Sequence, residues 1–266
     1  MIPWFTIPSL HLGPITLEPF GVLAALGIWT AAALLSRAAR QQGLSDEPLR
    51  DYATWGVIAG LVMGHLVHVL LYHPEDIAER GALQIIKVWD GQSSFGGLLG
   101  GILAAVVYFR VKGLSFNTYA DAFALGVAPG WAVARLGCFV VHDHPGVRTS
   151  FPLAVNFPGG PRHDLGLYDM VALLAIAAVL YAVRNQPAMK GKLLGLLAVL
   201  YGLCRFGFDF LRATDVPYHD ARYFGLTPGQ YGCIGLVVYG VYTLTRPRKA
   251  EPEPALAGKG RKAAAR

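Results

Sequence analysis

The sequence predicts an all-α polytopic membrane protein with about seven transmembrane helices, its N-terminus outside and its C-terminus in the cytoplasm. Three observations support this fold class. Hydrophobic residues make up 54% of the 266 positions and charged residues only 15%, unlike the composition of soluble domains. Most apolar blocks are about 17 to 23 residues long, enough to cross a hydrocarbon core about 30 Å thick. The basic residues are also divided unevenly between the connecting segments.

Seven apolar blocks follow one another along the chain. The first begins at Pro19, the last residue of the segment MIPWFTIPSLHLGPITLEP, which lacks the basic start of a cleavable signal peptide. The third block is short and rich in glycine, which permits close helix packing or a buried helix entry. The fourth and sixth blocks each contain an arginine. The predicted spans are Pro19–Ser36, Ala53–Tyr72, Phe95–Phe109, Tyr119–Val141, Leu167–Val183, Leu193–Leu211 and Gly229–Leu244.

The distribution of basic residues predicts the orientation. An odd number of spans places the two chain ends on opposite sides. With the C-terminus in the cytoplasm, fifteen basic residues lie inside and six outside, as the positive-inside rule requires. The net charge of +6 is then explained by topology and by contact with anionic lipid, so no nucleic-acid partner is predicted. We predict one membrane domain over residues 1–245 and a basic, disordered cytoplasmic tail over residues 246–266.

The cysteines and histidines do not form a known pattern. Cys138, Cys204 and Cys233 all lie in apolar segments, which is typical of packing residues and not of a disulfide framework. Histidines occur in MGHLVHVLLYH and VHDHPG, but no HExxH or other metal-binding spacing is present. We therefore predict neither a metal nor another cofactor. A metal-dependent or transport function that uses the histidines stays as an alternative.

Two arginines lie inside membrane spans. Arg135 and Arg205 interrupt stretches that are otherwise typical of lipid-soluble helices. A charged side chain at the bilayer centre costs roughly 2.5 kcal/mol or more, so each arginine must face a partner or a polar cavity. Each lies six residues before the outer end of its span, about 9 Å deep. His65 lies at a similar depth in the second span, so we predict a polar layer shared by three helices.

The sixth span carries a polar face. Tyr201, Arg205, Asp209 and Arg212 share one side of a helix because of their spacing. Two interpretations remain open. In the first, Asp209 neutralises Arg205 while Arg212 extends to the interface. In the second, the arginines hold a phosphate, which suits the planar donor set of a guanidinium, and Asp209 orients Arg205.

Five segments together resemble a known family. They are VWDGQSSFGG, ARLGCFVVHDHPG, PRHDLGLYD, YGLCRFGFDFLRATD and TPGQ. Their order, spacing and intramembrane positions resemble those of the prolipoprotein diacylglyceryl transferases, which are seven-span enzymes of the bacterial inner membrane. The resemblance implies transfer of the diacylglyceryl group of phosphatidylglycerol to the lipobox cysteine of a preprolipoprotein, with glycerol phosphate as the leaving group. The implied partners are phosphatidylglycerol, the signal-peptide region of the preprolipoprotein and membrane lipids.

The resemblance also assigns roles to the candidate residues. Such an enzyme must hold the phosphate and promote deprotonation of the thiol. Arg135, Arg205 and Asp209 are the candidates for the phosphate, and His142 and His144 are further catalytic candidates. The residues predicted to bind substrate are Arg212, Tyr201, Gly96, Gly97, Asp143, Gly146, His65 and His163.

The departures from the family concern activation of the thiol. Phe95 precedes two glycines where the family typically has His-Gly-Gly. Cys138 replaces the asparagine of a family Gly-Asn-Phe, and Asp143 takes the place of the acidic residue that ends that motif. Phe20 and His65 stand where a tyrosine and an arginine are usual. The residues predicted to handle the phosphate are retained.

Two consequences follow from these departures. His142, His144 and His163 lie near the predicted outer mouth of the cavity, so we take them as candidates for the missing base. The alternative function is that of a divergent paralogue, which binds phospholipid but modifies another acceptor or is catalytically inactive.

Overall fold

The protein is mostly helical, and the predicted class of polytopic membrane protein is confirmed. The computed structural model describes residues 1–13, 15–72, 75–216 and 222–246. The predicted tail therefore lies outside the described residues from position 247 onward. The helices are α1 (Pro19–Gln41), α2 (Glu47–Val67), α3 (Glu75–Arg80), α4 (Ser94–Val111), α5 (Phe116–Val141), α6 (Leu165–Val183), α7 (Leu193–Phe208) and α8 (Pro228–Thr245).

Each of the seven predicted spans coincides with one of the long helices. Among the described residues, five segments are long and apolar enough to cross a membrane by length and composition. They are α1, Glu47–Leu70, α5, α6 and Leu193–Leu211. The third predicted span forms the shorter apolar helix Phe95–Val111, and the seventh forms α8. Large apolar side chains such as Trp29 and Val111 are 70% and 79% exposed, as expected of surfaces that face lipid. The orientation of the helices in the membrane stays a prediction.

The chain divides into two compact units. Within the described residues, one unit contains residues 1–38 and 120–246, and the other contains residues 39–119. The prediction of a single domain over residues 1–245 is not tested by this division. Each unit is described by itself below.

Small residues allow the helices of each unit to pack closely. In the first unit, a Cβ on Gly27 of α1 would lie 2.6 Å from the Gly130 carbonyl oxygen of α5, and a Cβ on Gly240 of α8 would lie 2.6 Å from the Gly195 oxygen of α7. In the second unit, a Cβ on Gly96 of α4 would lie 2.6 Å from the Met63 oxygen of α2. Such contacts exclude any larger residue, because helices in lipid associate largely through close packing.

Two small sheets complete the first unit, and the sequence analysis did not anticipate them. Strands β1 (Leu10–Leu12) and β2 (Ile15–Leu17) form a hairpin before α1. Strands β3 (Pro145–Arg148), β4 (Val155–Phe157) and β5 (Gly160–Asp164) form an antiparallel sheet in the order β3-β5-β4. This sheet fills the long connection between α5 and α6. It fixes the residues that follow Arg135 against those that precede α6.

Candidate active site

Arg135 and Arg205 converge on one buried carboxylate. Arg135 Nε lies 3.4 Å from Asp169 Oδ2, and Arg205 Nη1 lies 3.5 Å from the same oxygen. The three side chains are 10%, 12% and 0% exposed and come from α5, α7 and α6. Because isolated charges are costly inside an apolar helix bundle, the acidic residue on α6 stabilises both guanidinium groups. The arginines therefore share one site on three helices.

Asp209 forms the second anionic centre of the site. Its Oδ1 lies 3.0 Å from Arg205 Nη2 and 3.3 Å from Arg212 Nε. Its Oδ2 accepts a hydrogen bond from the Thr227 hydroxyl. The pairing that the sequence predicted between Asp209 and Arg205 is thus present. Arg212 also pairs with Asp209, because a 3-10 turn over Asp209–Leu211 continues α7 and keeps the three residues on one side.

Thr227 connects the start of α8 to this centre. The Thr227 side chain accepts a hydrogen bond from the Gln230 backbone, and the Gln230 side chain accepts one from the Thr227 backbone, which together form a capping box. The TPGQ segment therefore places a hydroxyl donor directly on Asp209.

We expect Thr227→Val to destabilise the protein by about 2 kcal/mol, because the change removes both the helix cap and a donor to a buried carboxylate. Thr227→Ser, which keeps the hydroxyl, should stay near the wild type. Thermal unfolding in detergent micelles measures the difference. Equal melting temperatures for the valine and serine variants would contradict this role of the hydroxyl.

The arginines retain unused hydrogen-bonding capacity. Arg135 Nε and Arg205 Nη1 are buried and have no hydrogen-bond partner within the described part of the chain. Both Asp169 oxygens are also without hydrogen bonds there, since the contacts to the arginines have ion-pair distances without hydrogen-bond geometry. Buried charged donors are normally satisfied. The arrangement is therefore suited to an anionic ligand whose oxygens accept from both guanidinium groups.

Tyr201, on α7, packs near Arg135 and Arg205. The residue is buried, and its ring centroid lies 4.5 Å from that of Trp131 on α5. The Tyr201 side chain also lies within electrostatic reach of Arg135. These contacts place the predicted substrate-binding tyrosine in the wall of the arginine site.

Three side chains gather at the end of α5, just beyond Arg135. Arg135 Nη1 donates to Cys138 Sγ over 3.5 Å. The ligand atoms of Cys138, Asp143 and His144 all lie within 4.8 Å of one another. Burial raises the pKa of the Asp143 carboxyl to about 6, although Arg135 opposes the shift. Burial and the nearby Arg135 and Arg212 guanidinium groups lower the pKa of His144 to about 3.

His142 forms a separate buried pair with Asp164. Its Nδ1 lies 2.7 Å from Asp164 Oδ2, and its Nε2 is buried without a hydrogen-bond partner among the described residues. The ring stacks on Trp4 with a centroid separation of 4.5 Å and also contacts Phe5 and Phe157. His142 directly follows α5 with a φ of 52°, the left-handed conformation common after helices. The predicted catalytic histidine thus lies in an aromatic enclosure.

Asp164 also caps α6, since its Oδ1 accepts a hydrogen bond from the Leu167 backbone over 3.0 Å. We expect Asp164→Ala to destabilise the protein by about 2–3 kcal/mol, because the helix cap and the buried histidine both lose their partner. Asp164→Asn keeps one acceptor oxygen for the Leu167 backbone, and its amide NH2 can donate to the unprotonated Nδ1 of the other His142 tautomer, so it should cost less. Circular dichroism melting in micelles tests the order. A neutral effect of the alanine variant would show that the pair is dispensable for folding.

Gly146 and His163 lie on adjacent strands near the same end of the helices. A Cβ on Gly146 would lie 2.7 Å from both His163 Cβ and the Leu211 carbonyl oxygen, so only glycine fits. The Gly146 carbonyl accepts from Arg162 Nη1 over 3.1 Å. His163 Nδ1 lies 2.7 Å from the Tyr168 hydroxyl. Gly146 therefore permits the sheet to pack against the turn that carries Asp209.

The remaining predicted site residues lie in the second unit. His65 is buried, with Nδ1 3.1 Å from the Gly91 oxygen and Nε2 2.9 Å from the Gln84 oxygen. Gly96 packs against α2, whereas a Cβ on Gly97 would lie 3.7 Å from the Gly60 oxygen. His65 thus holds the segment before α4. The predicted polar layer shared by His65 and the two arginines stays a prediction.

Sequence reasoning missed two residues of the site. Asp169 is the only charged residue in α6, and the cost of a charge in lipid that drew attention to the arginines applies to it equally. Thr227 was contained in the TPGQ segment, whose Thr-x-x-Gln spacing is that of a capping box. Both were therefore detectable from the sequence, but their partners were not.

The chain is similar to known proteins over most of its length. Residues 8–246 match the family model described as prolipoprotein diacylglyceryl transferase. A phosphatidylglycerol–prolipoprotein diacylglyceryl transferase of Nitratidesulfovibrio vulgaris strain DP4 is 32% identical over 245 residues, covering 89% of this chain and 92% of that protein. The transferase of the same name from Pseudomonas aeruginosa strain LESB58 is 30% identical over 257 residues, covering 93% and 96%. The chain therefore belongs to the prolipoprotein diacylglyceryl transferase family.

Proposed function

We propose that this protein transfers the diacylglyceryl group of phosphatidylglycerol to the lipobox cysteine of prolipoproteins, in the bacterial inner membrane. The observation that carries the proposal is the convergence of Arg135 and Arg205 on Asp169, with a buried donor left over on each guanidinium. Family membership supports the reaction class. No further partner is required by this chemistry.

The reaction is a displacement at carbon. The thiolate sulfur of the acceptor attacks the glycerol carbon that bears the phosphate, and a sulfur–carbon bond forms. The carbon–oxygen bond breaks, and its electron pair stays with the phosphate oxygen of the departing glycerol phosphate. Negative charge therefore grows on the phosphate in the transition state, where fixed guanidinium donors stabilise it most.

The charges of the site suit a phosphate. Arg135, Arg205 and Arg212 carry three positive charges against the two carboxylates of Asp169 and Asp209. The network is thus one positive charge in excess, which favours a phosphodiester anion. Asp169 and Asp209 fix the guanidinium planes before the lipid arrives, so less ordering is required when it binds.

The experiment is a transfer assay with the purified full-length protein in nanodiscs that contain phosphatidylglycerol. A lipobox peptide with one cysteine should gain the mass of a diacylglyceryl group, and glycerol phosphate should be released in equal amount. A peptide with serine in place of cysteine is the control. Complementation of a conditional transferase deletion gives the cellular counterpart.

The alternative function has its own support, since Phe95 stands where the family typically has histidine. Phe95 is 44% exposed and carries no proton-accepting group. A paralogue that binds phospholipid without this transfer would retain phosphatidylglycerol in the assay but leave the peptide unmodified. That result, with folded protein, would overturn the proposal.

A further inference from the structure

The inference concerns Cys138, Asp143 and His144 at the end of α5. Cys138 lies in the last turn of the helix, and the left-handed residue His142 redirects the chain directly afterwards. The thiol, the carboxylate and the imidazole thereby come within 4.8 Å of one another. Three residues that are close in sequence therefore bring three different kinds of metal ligand to one place.

The separations are close to those of a coordinated metal ion. Zinc binds sulfur at about 2.3 Å and nitrogen or oxygen at about 2.0–2.2 Å, so tetrahedral ligands lie about 3.4–3.6 Å apart. Asp143 Oδ1 and His144 Nδ1 are already 3.1 Å apart. The ligand atoms in the two pairs that include Cys138 Sγ lie within 4.8 Å of each other. Side-chain movements of about 1 Å would therefore bring all three ligands to coordination distances.

The donor set is that of zinc and not of a hard cation. Calcium and magnesium prefer several oxygen ligands, of which this group offers only the carboxylate. Thiolate, imidazole and carboxylate are the three ligand classes of protein zinc sites. His144 Nδ1 is buried and has no hydrogen-bond partner within the described residues.

The neighbouring charges are compatible with a divalent cation. The cations that face the group are Arg135, Arg205 and Arg212, and Asp169 and Asp209 pair with them. A Cys138 thiolate and an Asp143 carboxylate would match the two charges of zinc. Arg135 Nη1, 3.5 Å from Cys138 Sγ, would donate a hydrogen bond to the ligating sulfur.

We propose that Cys138, Asp143 and His144 form a three-ligand zinc site whose fourth position takes the thiol of the acceptor cysteine. Three protein ligands with one open position are typical of catalytic zinc. Cys138 is buried, whereas Asp143 and His144 are partly exposed, so the group is accessible from their side. The role of the fourth position rests on the transfer reaction proposed above, but zinc binding itself does not.

Zinc at this place would supply the activation that Phe95 cannot. A thiol that coordinates zinc loses its proton, here to solvent, and binds as a thiolate. That sulfur then forms the bond to the glycerol carbon, while the phosphate leaves toward the arginines. Arg135 contacts both Cys138 and Asp169, so the two halves of the reaction would be adjacent.

The test measures zinc on the purified full-length protein after loading with zinc and dialysis against a weak chelator. Wild type should retain one zinc per chain, and Cys138→Asn and His144→Ala should each retain less than about a tenth of that. Cys204→Ser, which changes a cysteine of α7 outside the group, is the matched control. Replacement of zinc by Co²⁺ should give a thiolate charge-transfer band that Cys138→Asn lacks.

The outcomes separate the two proposals. Asparagine is the residue usual in the family at position 138, so Cys138→Asn should fold, and size-exclusion chromatography verifies this. Zinc retention by wild type no greater than by folded Cys138→Asn would overturn the zinc site, and transfer that persists after complete zinc removal would overturn its role in thiol activation. Both results would leave the transferase proposal intact. Zinc retained by an inactive protein would support the site but contradict thiol activation. Loss of transfer upon chelation, restored by zinc, supports both.

Discussion

Arg135→Lys is expected to lower the rate of diacylglyceryl transfer about 100-fold or more. Lysine keeps the positive charge but replaces a planar set of donors by one compact ammonium group. It cannot contact Asp169 and Cys138 while also donating to a phosphate, and such transition-state donors are each worth about 10²–10³ in rate. Steady-state kinetics in nanodiscs with varied phosphatidylglycerol measures the effect.

The control for this prediction is Arg110→Lys. Arg110 is an exposed arginine in the last turn of α4, and its change should leave the rate within about twofold of wild type. The loss in Arg135→Lys should appear mainly in kcat, because the donors act most strongly on the charge that develops in the transition state. Retention of more than a tenth of wild-type activity would argue against the phosphate role.

Asp169→Asn is expected to destabilise the protein by about 3–5 kcal/mol. The change removes the carboxylate that pairs with both Arg135 and Arg205, so the buried Arg135 loses its carboxylate partner and Arg205 keeps only Asp209 among the described residues. Little folded protein should be recovered from membranes. Unfolding in detergent, followed by circular dichroism, measures the loss, and transfer activity should be absent from any folded fraction.

A double variant distinguishes charge pairing from simple packing. If Asp169 acts through its charge, Asp169→Asn together with Arg135→Gln should be less unstable than the sum of the single changes. Asp46→Asn is the control, since Asp46 pairs with Arg40, which is 59% exposed, and such surface pairs contribute at most about 1 kcal/mol. Additive losses in the double variant would contradict the pairing.

The helices were predictable from the sequence because lipid permits few alternatives. Every backbone donor and acceptor must be satisfied inside the span, so an apolar block of sufficient length becomes a helix. The predicted block Leu193–Leu211 accordingly forms α7 and the 3-10 turn after it, with the predicted limits. The β3-β5-β4 sheet was missed, because strands of three to five residues lack a detectable period.

The candidate site was predictable only in part. The cost of burying a charge in lipid marked Arg135 and Arg205, and helix spacing linked Arg205 to Asp209. The spacing of Cys138, Asp143 and His144 resembled no metal motif, because the reversal of the chain at His142 brings them together. His65 was assigned to the site only because of its predicted depth in the membrane. In the structure, its ring nitrogens lie within hydrogen-bond distance of the Gln84 and Gly91 carbonyl oxygens.

The sequence by itself determined that this protein is a bundle of membrane helices with two buried arginines that require a counterpart. Only the tertiary structure decided that the counterpart is shared. Asp169 reaches Arg135 and Arg205 because α6 packs against both α5 and α7. The physical reason is that the first property is local in the sequence and the second is not. The cost of a charge in lipid depends on one residue and its surroundings, whereas the pairing that offsets this cost depends on how separate helices pack.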